Sequence, residues 1–429
     1  MFKFKIAATV LTALIFIQLS AQNPVPAPPQ TEPICILGAK AHIGNGEVIE
    51  NSLLMFENGK IVNIGVNDGS IDYAGYKVID ASGKDLYPGF IAANTNLGLV
   101  EIGAVRSTRD AREVGSLNPN VRSIIAYNTD SEIIPTIRNH GVLTAQVCPQ
   151  GGIMPGSSSI VQLDGWNWED AALKTDNGNH LNWPRQYSYN RRTRSYSKDK
   201  KYLEKVREIE NLFEEAIAYN KKDIPQPKNL KLHAMSGLFD KTQKLFIHAN
   251  DVASISQAVV FAKKYDLDMV IVGGRDAWRV TELLVENNIP VILERTHRLP
   301  QRADEDIDQP FKTPAMLSDA GVLFAISRGG NWTVRNLPYQ AGQAVAFGLD
   351  YEKAVMAISS NVARILGIND QLGTLEKGKA ATFFISSGDV LDMRSSTVEQ
   401  AFIQGSSIDL DDKQKYLNRK FEEKYERGE

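Results

Sequence analysis

Two asparagines, Asn94 and Asn96, flank Thr95 directly after the short apolar run 90–93, which the turn residues Pro88 and Gly89 set off from what precedes it. A strand-length apolar run that ends abruptly in polar groups recurs along the chain. It delivers His248 in F-I-H-A-N, Arg275 and Asp276 in G-G-R-D-A, Glu294 after P-V-I-L, Arg328 in A-I-S-R-G-G, and Gln162 near the end of the run 158–163. These residue types define a narrow chemistry. A guanidinium is permanently cationic and presents a fixed fork of donors, carboxamides add neutral donors and acceptors, and an imidazole can exchange a proton near neutral pH. Brought together, Arg275, Arg328, Asn94, Asn96 and His248 would form a pocket for an anion. The same arginines can instead be neutralised by Glu101, Asp164, Asp276 and Glu294, giving a polar network that merely closes the site, and the pattern admits both readings.

Other machinery is missing from the sequence pattern. There is no Gly-x-Ser-x-Gly elbow, and no Ser, His and Asp set can be assigned. The glycines at 151, 152 and 156 lack the lysine and spacing of a phosphate-binding loop, so this stretch reads as a close-packed connection. Cys35 and Cys148 have no ligand-spaced Cys or His beside them and read as buried thiols. His297, between Arg295 and Arg298 in a basic loop, reads as a surface residue.

For the strand-end groups to meet, the runs that carry them must be parallel strands sharing one rim. Strand-like and helix-like segments alternate between residues 88 and 370, the signature of βα units. Strands are predicted at 90–93, 142–147, 158–163, 245–248, 269–272, 290–293 and 322–326. That is one short of a closed barrel of eight, and the missing strand is expected inside the insertion 164–244. Helices are predicted at 255–265, 277–287, 313–320 and 351–366, the last capped by Gly367. The insertion opens with Trp166, Trp168, Trp183, Tyr187 and Tyr189 among arginines, read as a cover over the mouth or a subunit contact. A charged helix over 199–220 follows, with Tyr202, Val206, Ile209, Phe213 and Ile217 on its apolar side. Segments 34–87 and 371–410 contain short alternating runs with tight turns such as Asn58-Gly59, which predict antiparallel strands, and 411–429 predicts a terminal charged helix.

The run Y-P-G-F-I-A-A-N-T-N resembles the first barrel strand of the amidohydrolase superfamily, the imidazolonepropionase-like and dihydroorotase-like metal-dependent hydrolases. L-G-T-L-E-K-G-K-A-A-T-F-F, from Leu372, resembles the return strand of the same proteins. The resemblance spans about residues 34–408. It implies an α/β fold, a (β/α)8 TIM-like barrel over 88–370, with a composite β-sandwich built by 34–87 and 371–410. It also implies a hydrolase of carbon–nitrogen bonds in cyclic amides, imidazolones or N-acyl compounds. In that family two histidines of strand one, a lysine or glutamate midway, single histidines after strands five and six and an aspartate after strand eight serve the metal. The matching positions here are Asn94 and Asn96, Gln162, His248, Arg275, and Ser327 or Arg328, so only His248 keeps its residue type. With that set no metal cofactor is expected and catalysis is expected to be weak or lost. The alternatives are a non-catalytic protein that binds a small anionic molecule, and a structural partner of an intact amidohydrolase, with homo- or hetero-oligomers formed through the aromatic insertion and terminal helix.

With 48 Lys and Arg against 51 Asp and Glu, the chain has no bulk field to attract nucleic acid or an anionic membrane. Residues 1–21 have a basic start at Lys3 and Lys5, an apolar run over 6–19 and the small pair Ser20 and Ala21, the pattern of a cleaved signal peptide. This predicts export, to a periplasm or outside the cell, without stable membrane insertion after cleavage. The proline-rich stretch 22–33 then serves as a linker.

Overall fold

The computed structural model describes residues 25–190, 192–221, 227–302 and 304–427; the expected signal segment lies outside the described residues. In chain order the strands are β1 (Ile34–His42), β2 (Val48–Glu57), β3 (Lys60–Val66), β4 (Lys77–Asp80), β5 (Asp85–Pro88), β6 (Phe90–Thr95), β7 (Val142–Val147), β8 (Gly156–Gln162) and β9 (Ala172–Asn182). They continue as β10 (Tyr187–Asn190), β11 (Ser195–Lys198), β12 (Lys244–Ala249), β13 (Met269–Gly273), β14 (Val291–Leu293), β15 (Phe324–Ile326), β16 (Phe383–Ser387), β17 (Thr397–Ile403) and β18 (Ser406–Ser407).

Both ends of the chain build one sheet, ordered β18-β17-β16-β5-β1-β2-β3 with β4 beside β1. Asn58 and Gly59 both take positive φ, the requirement of the two-residue turn that closes the β2–β3 hairpin. Phe56 meets Phe383 and Phe402 edge-on at 5.2 Å, so the N- and C-terminal segments share a core. The linker is seated rather than free: Gln30 Oε1 accepts from Gly59 N, and Ala27 N donates to Asp164.

The second sheet curls into a nearly closed barrel, ordered β6-β7-β8-β9-β12-β13-β14-β15. Ile91, Ala93, Ile160, Phe246, Val270, Val272, Ile292 and Ala325 fill it, and Val362, Ile365 and Leu366 of the helix Ser360–Leu366 pack into the same core. No ladder joins β15 to β6 among the described residues; Asn96 N donates to Gly330 O across that seam at 3.2 Å. The strand expected inside the insertion is β9, which pairs in parallel with β12.

One strand departs from the expected architecture. β8, predicted as an ordinary parallel strand, runs antiparallel to both β7 and β9. The connection 148–155 explains it: a parallel return needs a crossover of roughly a dozen residues or more, and this link is too short. The barrel therefore has seven parallel strands and one reversed strand.

The predicted helix 351–366 is divided into Tyr351–Ala357 and Ser360–Leu366, because Ile358 O at the break accepts from Ile91 N; Gly367 ends it in the left-handed region as expected. The helix Tyr202–Asn220 buries Ile209 and Phe213, the latter against Phe261 and Tyr265, and Trp183, expected in a cover over the mouth or a subunit contact, is itself buried against Phe261. Among the described residues no helix is long and apolar enough to cross a membrane.

At the junction of sheet and barrel His42 is buried, stacked on Tyr87 at 4.4 Å, with Nδ1 2.7 Å from Glu352 Oε1 and Nε2 3.7 Å from Asp85. Burial opposes its charge, but the hydrogen bonds to Asp85 and Glu352 outweigh burial and raise the His42 pKa.

Candidate functional site

The mouth is the rim where the parallel strands end. Asn94 leaves β6 with φ +54, a left-handed conformation that asparagine tolerates better than most residues. Its backbone N–H donates to Gln146 Oε1 at 3.1 Å, and Thr95 Oγ1 donates to Gln146 O at 3.0 Å. Gln146 Nε2 donates to Ser158 Oγ at 3.0 Å, and Ser158 Oγ donates to Asn177 Oδ1 at 2.9 Å. A polar chain thus crosses the lumen from β6 through β7 and β8 to β9. Asn96 holds the β15 side through its backbone and leaves Oδ1 buried with no partner among the described residues.

Below this rim lie two histidines. His180 of β9 is fully buried, stacked on Phe246 at 4.9 Å, and its Nδ1 is 2.9 Å from Nε2 of His248 on β12. Burial lowers the His248 pKa to about 4; burial and then the neighbouring His248 push His180 well below its ordinary value. Near neutral pH both rings are uncharged, one donating its N–H to the other. Nε2 of His180 has no partner among the described residues.

Three arginines follow β13, β14 and β15. Arg275 donates its backbone N–H to Asn250 Oδ1 at 3.3 Å, and its side-chain Nε is buried without a partner among the described residues. Arg295 lines the same small cavity as Arg275, and Arg328 donates from Nη1 to Gly329 O at 2.9 Å. Burial, and then the charge of Arg295, lowers the Arg328 pKa. Their neighbours differ: Arg298 pairs with Glu305 at 2.6 Å, Arg302 with Asp276 at 2.7 Å, whereas Arg275, Arg295 and Arg328 have no carboxylate at ion-pair distance among the described residues. The cavity between Arg275, Glu294, Arg295, Thr296 and Arg298 holds about 20 Å³, room for a single water.

The structure therefore brings Asn94, Asn96, His248, Arg275, Glu294 and Arg328 to one rim, with Glu294 exposed and only 3.5 Å from Asn250 Nδ2. Two expected members must be corrected. Gln162 ends a reversed strand, so it lies at the opposite end of the barrel, where Gln404 donates to it at 2.9 Å. Asp276 is buried and its Oδ2 is taken by Arg302, so it does not present a carboxylate to the mouth. Asp164 likewise lies at the far end, paired with Arg138 at 2.8 Å. His180 and Gln146 escaped sequence reading. The signal for His180 was the alternation in G-N-H-L-N, which polar neighbours disguise as loop; Gln146 sat visibly within a predicted strand.

A divalent metal of the kind the resemblance implies does not fit these residues. Among the described residues no three of His, Cys, Asp and Glu converge as ligands would. The two imidazoles that could begin such a set are bonded to each other, and Arg275, with a fixed positive charge, stands where a third ligand would.

No family model matches the sequence, and no curated protein sequence matches it either. Solved structures do. An amidohydrolase from Thermotoga maritima MSB8 aligns over 88% of this chain and 99% of its own with a TM-score of 0.74 at 22% identity. Molinate hydrolase aligns over 89% and 95% (0.54, 15% identity), and a Xaa-Pro dipeptidase with methionine bound in its active site over 88% and 100% (0.54, 13% identity). The chain has the amidohydrolase fold.

Proposed function

We propose that this chain is an amidohydrolase-fold protein that binds a small anionic molecule at its barrel mouth and has given up metal-dependent hydrolysis. One observation carries the reading: three arginines at the strand ends of the rim have no carboxylate at ion-pair distance among the described residues, and the histidines of the same barrel, His180 and His248, are neutral near pH 7. Unpaired guanidinium groups bind carboxylates and phosphates through paired N–H donors, and they repel a divalent cation. The cavity between Arg275 and Arg295 has room for a single water, so the ligand sits at the open rim, where the side chains of Glu294 and Arg295 are exposed. His248 and His180, uncharged, supply one N–H and one acceptor without adding to the field.

The test is thermal denaturation of the mature protein with inorganic phosphate, citrate or N-acetylglutamate. A ligand present at about 100 times its Kd raises the melting temperature through the binding free energy, and Arg328→Ala or Arg275→Ala abolishes that rise. No shift with any of the three anions, or shifts unaltered in both variants, refutes the proposal. Stoichiometric zinc retained after dialysis, with hydrolysis of an N-acyl amino acid, would restore the hydrolase reading.

A second reading, docking onto an intact amidohydrolase, draws support from the helix Lys413–Glu426. It buries none of its own residues and exposes Tyr416, Phe421 and Tyr425. Light scattering that finds only monomer, alone and with such a partner, removes it.

A further inference from the structure

On the flank of the barrel, Ser157 of the reversed β8 and Asp176 of β9 line a cleft of about 660 Å³ where a parallel strand would carry a helix, and the arginine beside it, Arg122, is taken by Asp176 at 2.7 Å. The helix Lys413–Glu426 presents the opposite case, with charges and apolar groups left over. Its first turn is fastened to the helix Ile133–Arg138 and the residues that flank it: Lys413 pairs with Glu132 at 2.8 Å, Thr136 donates to Gln414 at 2.7 Å, and Lys415 donates to Asn139 at 2.7 Å. Beyond Lys415 every residue up to Arg427 is exposed, and the side chains pair only within this segment, Arg419 with Asp411 and Arg427 with Glu423. A helix of 14 residues is marginal in water without tertiary packing, so this one calls for a partner.

The order of its residues specifies which. At about 3.6 residues per turn, the exposed Leu417, Phe421 and Tyr425 fall in one stripe, while Tyr416 lies on the far side. The charges are sorted about that stripe. Arg419 and Glu423 lie opposite it and are paired within the chain, with Asp411 and Arg427. Lys420 and Lys424 lie to one side of the stripe and Glu422 and Glu426 to the other, and none of the four has an opposite charge at ion-pair distance among the described residues. Lys415, the one basic residue on the acidic side, is spent on Asn139 and Leu410 O. Each of the two sides thus sets like charges at i and i+4, which weakens an isolated helix. The same arrangement becomes favourable when a second copy of the helix lies alongside in parallel, about a two-fold axis running along the pair: stripe meets stripe, and the lysine side of each copy faces the glutamate side of the other. An antiparallel pair would set lysines against lysines. We infer that the chain forms a homodimer through parallel pairing of this helix, Leu417, Phe421 and Tyr425 packing on their counterparts while Lys420 and Lys424 face Glu422 and Glu426 of the second copy. This gives to a second copy of the chain the helix that the second reading gives to an intact amidohydrolase.

Light scattering over a concentration series of the mature protein tests this. A monomer–dimer equilibrium with a Kd of about 10–100 µM is expected, in keeping with a contact of few side chains, and Phe421→Asp should weaken it about tenfold or more. Lys420→Glu combined with Lys424→Glu should give monomer, as should Glu422→Lys combined with Glu426→Lys, and an equal mixture of the two double variants should recover the dimer. All of these side chains are exposed, so the variants keep the fold. Orientation is read by cross-linking with copper phenanthroline: Tyr425→Cys should form an interchain disulfide and Tyr416→Cys should not, the native Cys35 and Cys148 being buried. Monomer at every concentration overturns the inference, as does a dimer that survives Phe421→Asp and both double variants, or one in which Tyr425→Cys fails to cross-link. A monomer that associates only with an intact amidohydrolase overturns it in favour of the second reading. Anion binding is read separately by thermal shift, and Arg328→Ala should leave the dimer unchanged, so failure here and failure of the anion reading are distinguishable.

Discussion

The mouth and the flank of this barrel use the same side-chain types to opposite ends. At the mouth Arg275 and Arg295 line about 20 Å³ of space with no carboxylate at ion-pair distance among the described residues; on the flank Arg122 is locked to Asp176 beside about 660 Å³. The arginine beside the larger space is neutralised, whereas the two beside the smaller one have no such partner among the described residues. Composition cannot distinguish these cases, because an arginine's role is set by whether a carboxylate from a distant strand reaches it. The comparison also separates the two kinds of arginine within the rim itself, where Arg298 and Arg302 are paired and the other three are not.

The sharpest way to break this contrast is to remove paired and unpaired arginines in turn. Arg298→Ala leaves Glu305, whose side chain is only 2% exposed, without its partner, and is expected to cost about 3–5 kcal/mol in urea denaturation. Arg328→Ala removes one of two adjacent like charges and should cost less than about 1 kcal/mol while abolishing anion binding. Equal losses in the two variants would show that the rim arginines are all structural.

Acid stability probes the lumen against the junction between sheet and barrel. His248 and His180 are neutral in the fold, with pKa values depressed below that of the unfolded chain, so the unfolded state takes up protons first as pH falls. Their contribution to stability declines as pH falls from about 6.5 towards the His248 value of about 4. His42 behaves oppositely: its raised pKa gives stability that is complete below the unfolded value and is lost as pH rises through the folded one. Urea midpoints across pH 4.5–8 should therefore show a shallower acid limb in His248→Asn and a shallower alkaline decline in His42→Gln, relative to the parent. Parallel profiles for all three proteins would remove the distinction.

The smallest effect is expected on the flank. Arg122→Gln breaks an ion pair whose arginine is 42% exposed, and should change stability by no more than about 1 kcal/mol. A larger loss would mean that the pair props the cleft open and is part of its architecture.

Much of this molecule was legible before any coordinates. Pro88-Gly89 announced the start of the barrel, Asn58-Gly59 a hairpin and Gly367 a helix end, because turn and cap chemistry is decided by a few adjacent residues. For the same reason the strand ends that carry Asn94, Asn96, His248, Arg275 and Arg328 were placed correctly, and their gathering at one rim follows from parallel pairing. What the sequence could not convey was direction and partnership. Residues 158–163 read as a strand either way; only its neighbours β7 and β9 reverse it, and that reversal carries Gln162 to the far end and strips the flank of a covering helix. Asp276 looked like a free carboxylate until the fold brought Arg302 to it, and His248 looked solitary until β9 set His180 beside it. Local backbone preference is written in neighbouring residues, whereas burial, pairing and strand direction are fixed only when segments far apart in the chain come into contact, and it was these that decided which groups are free to bind.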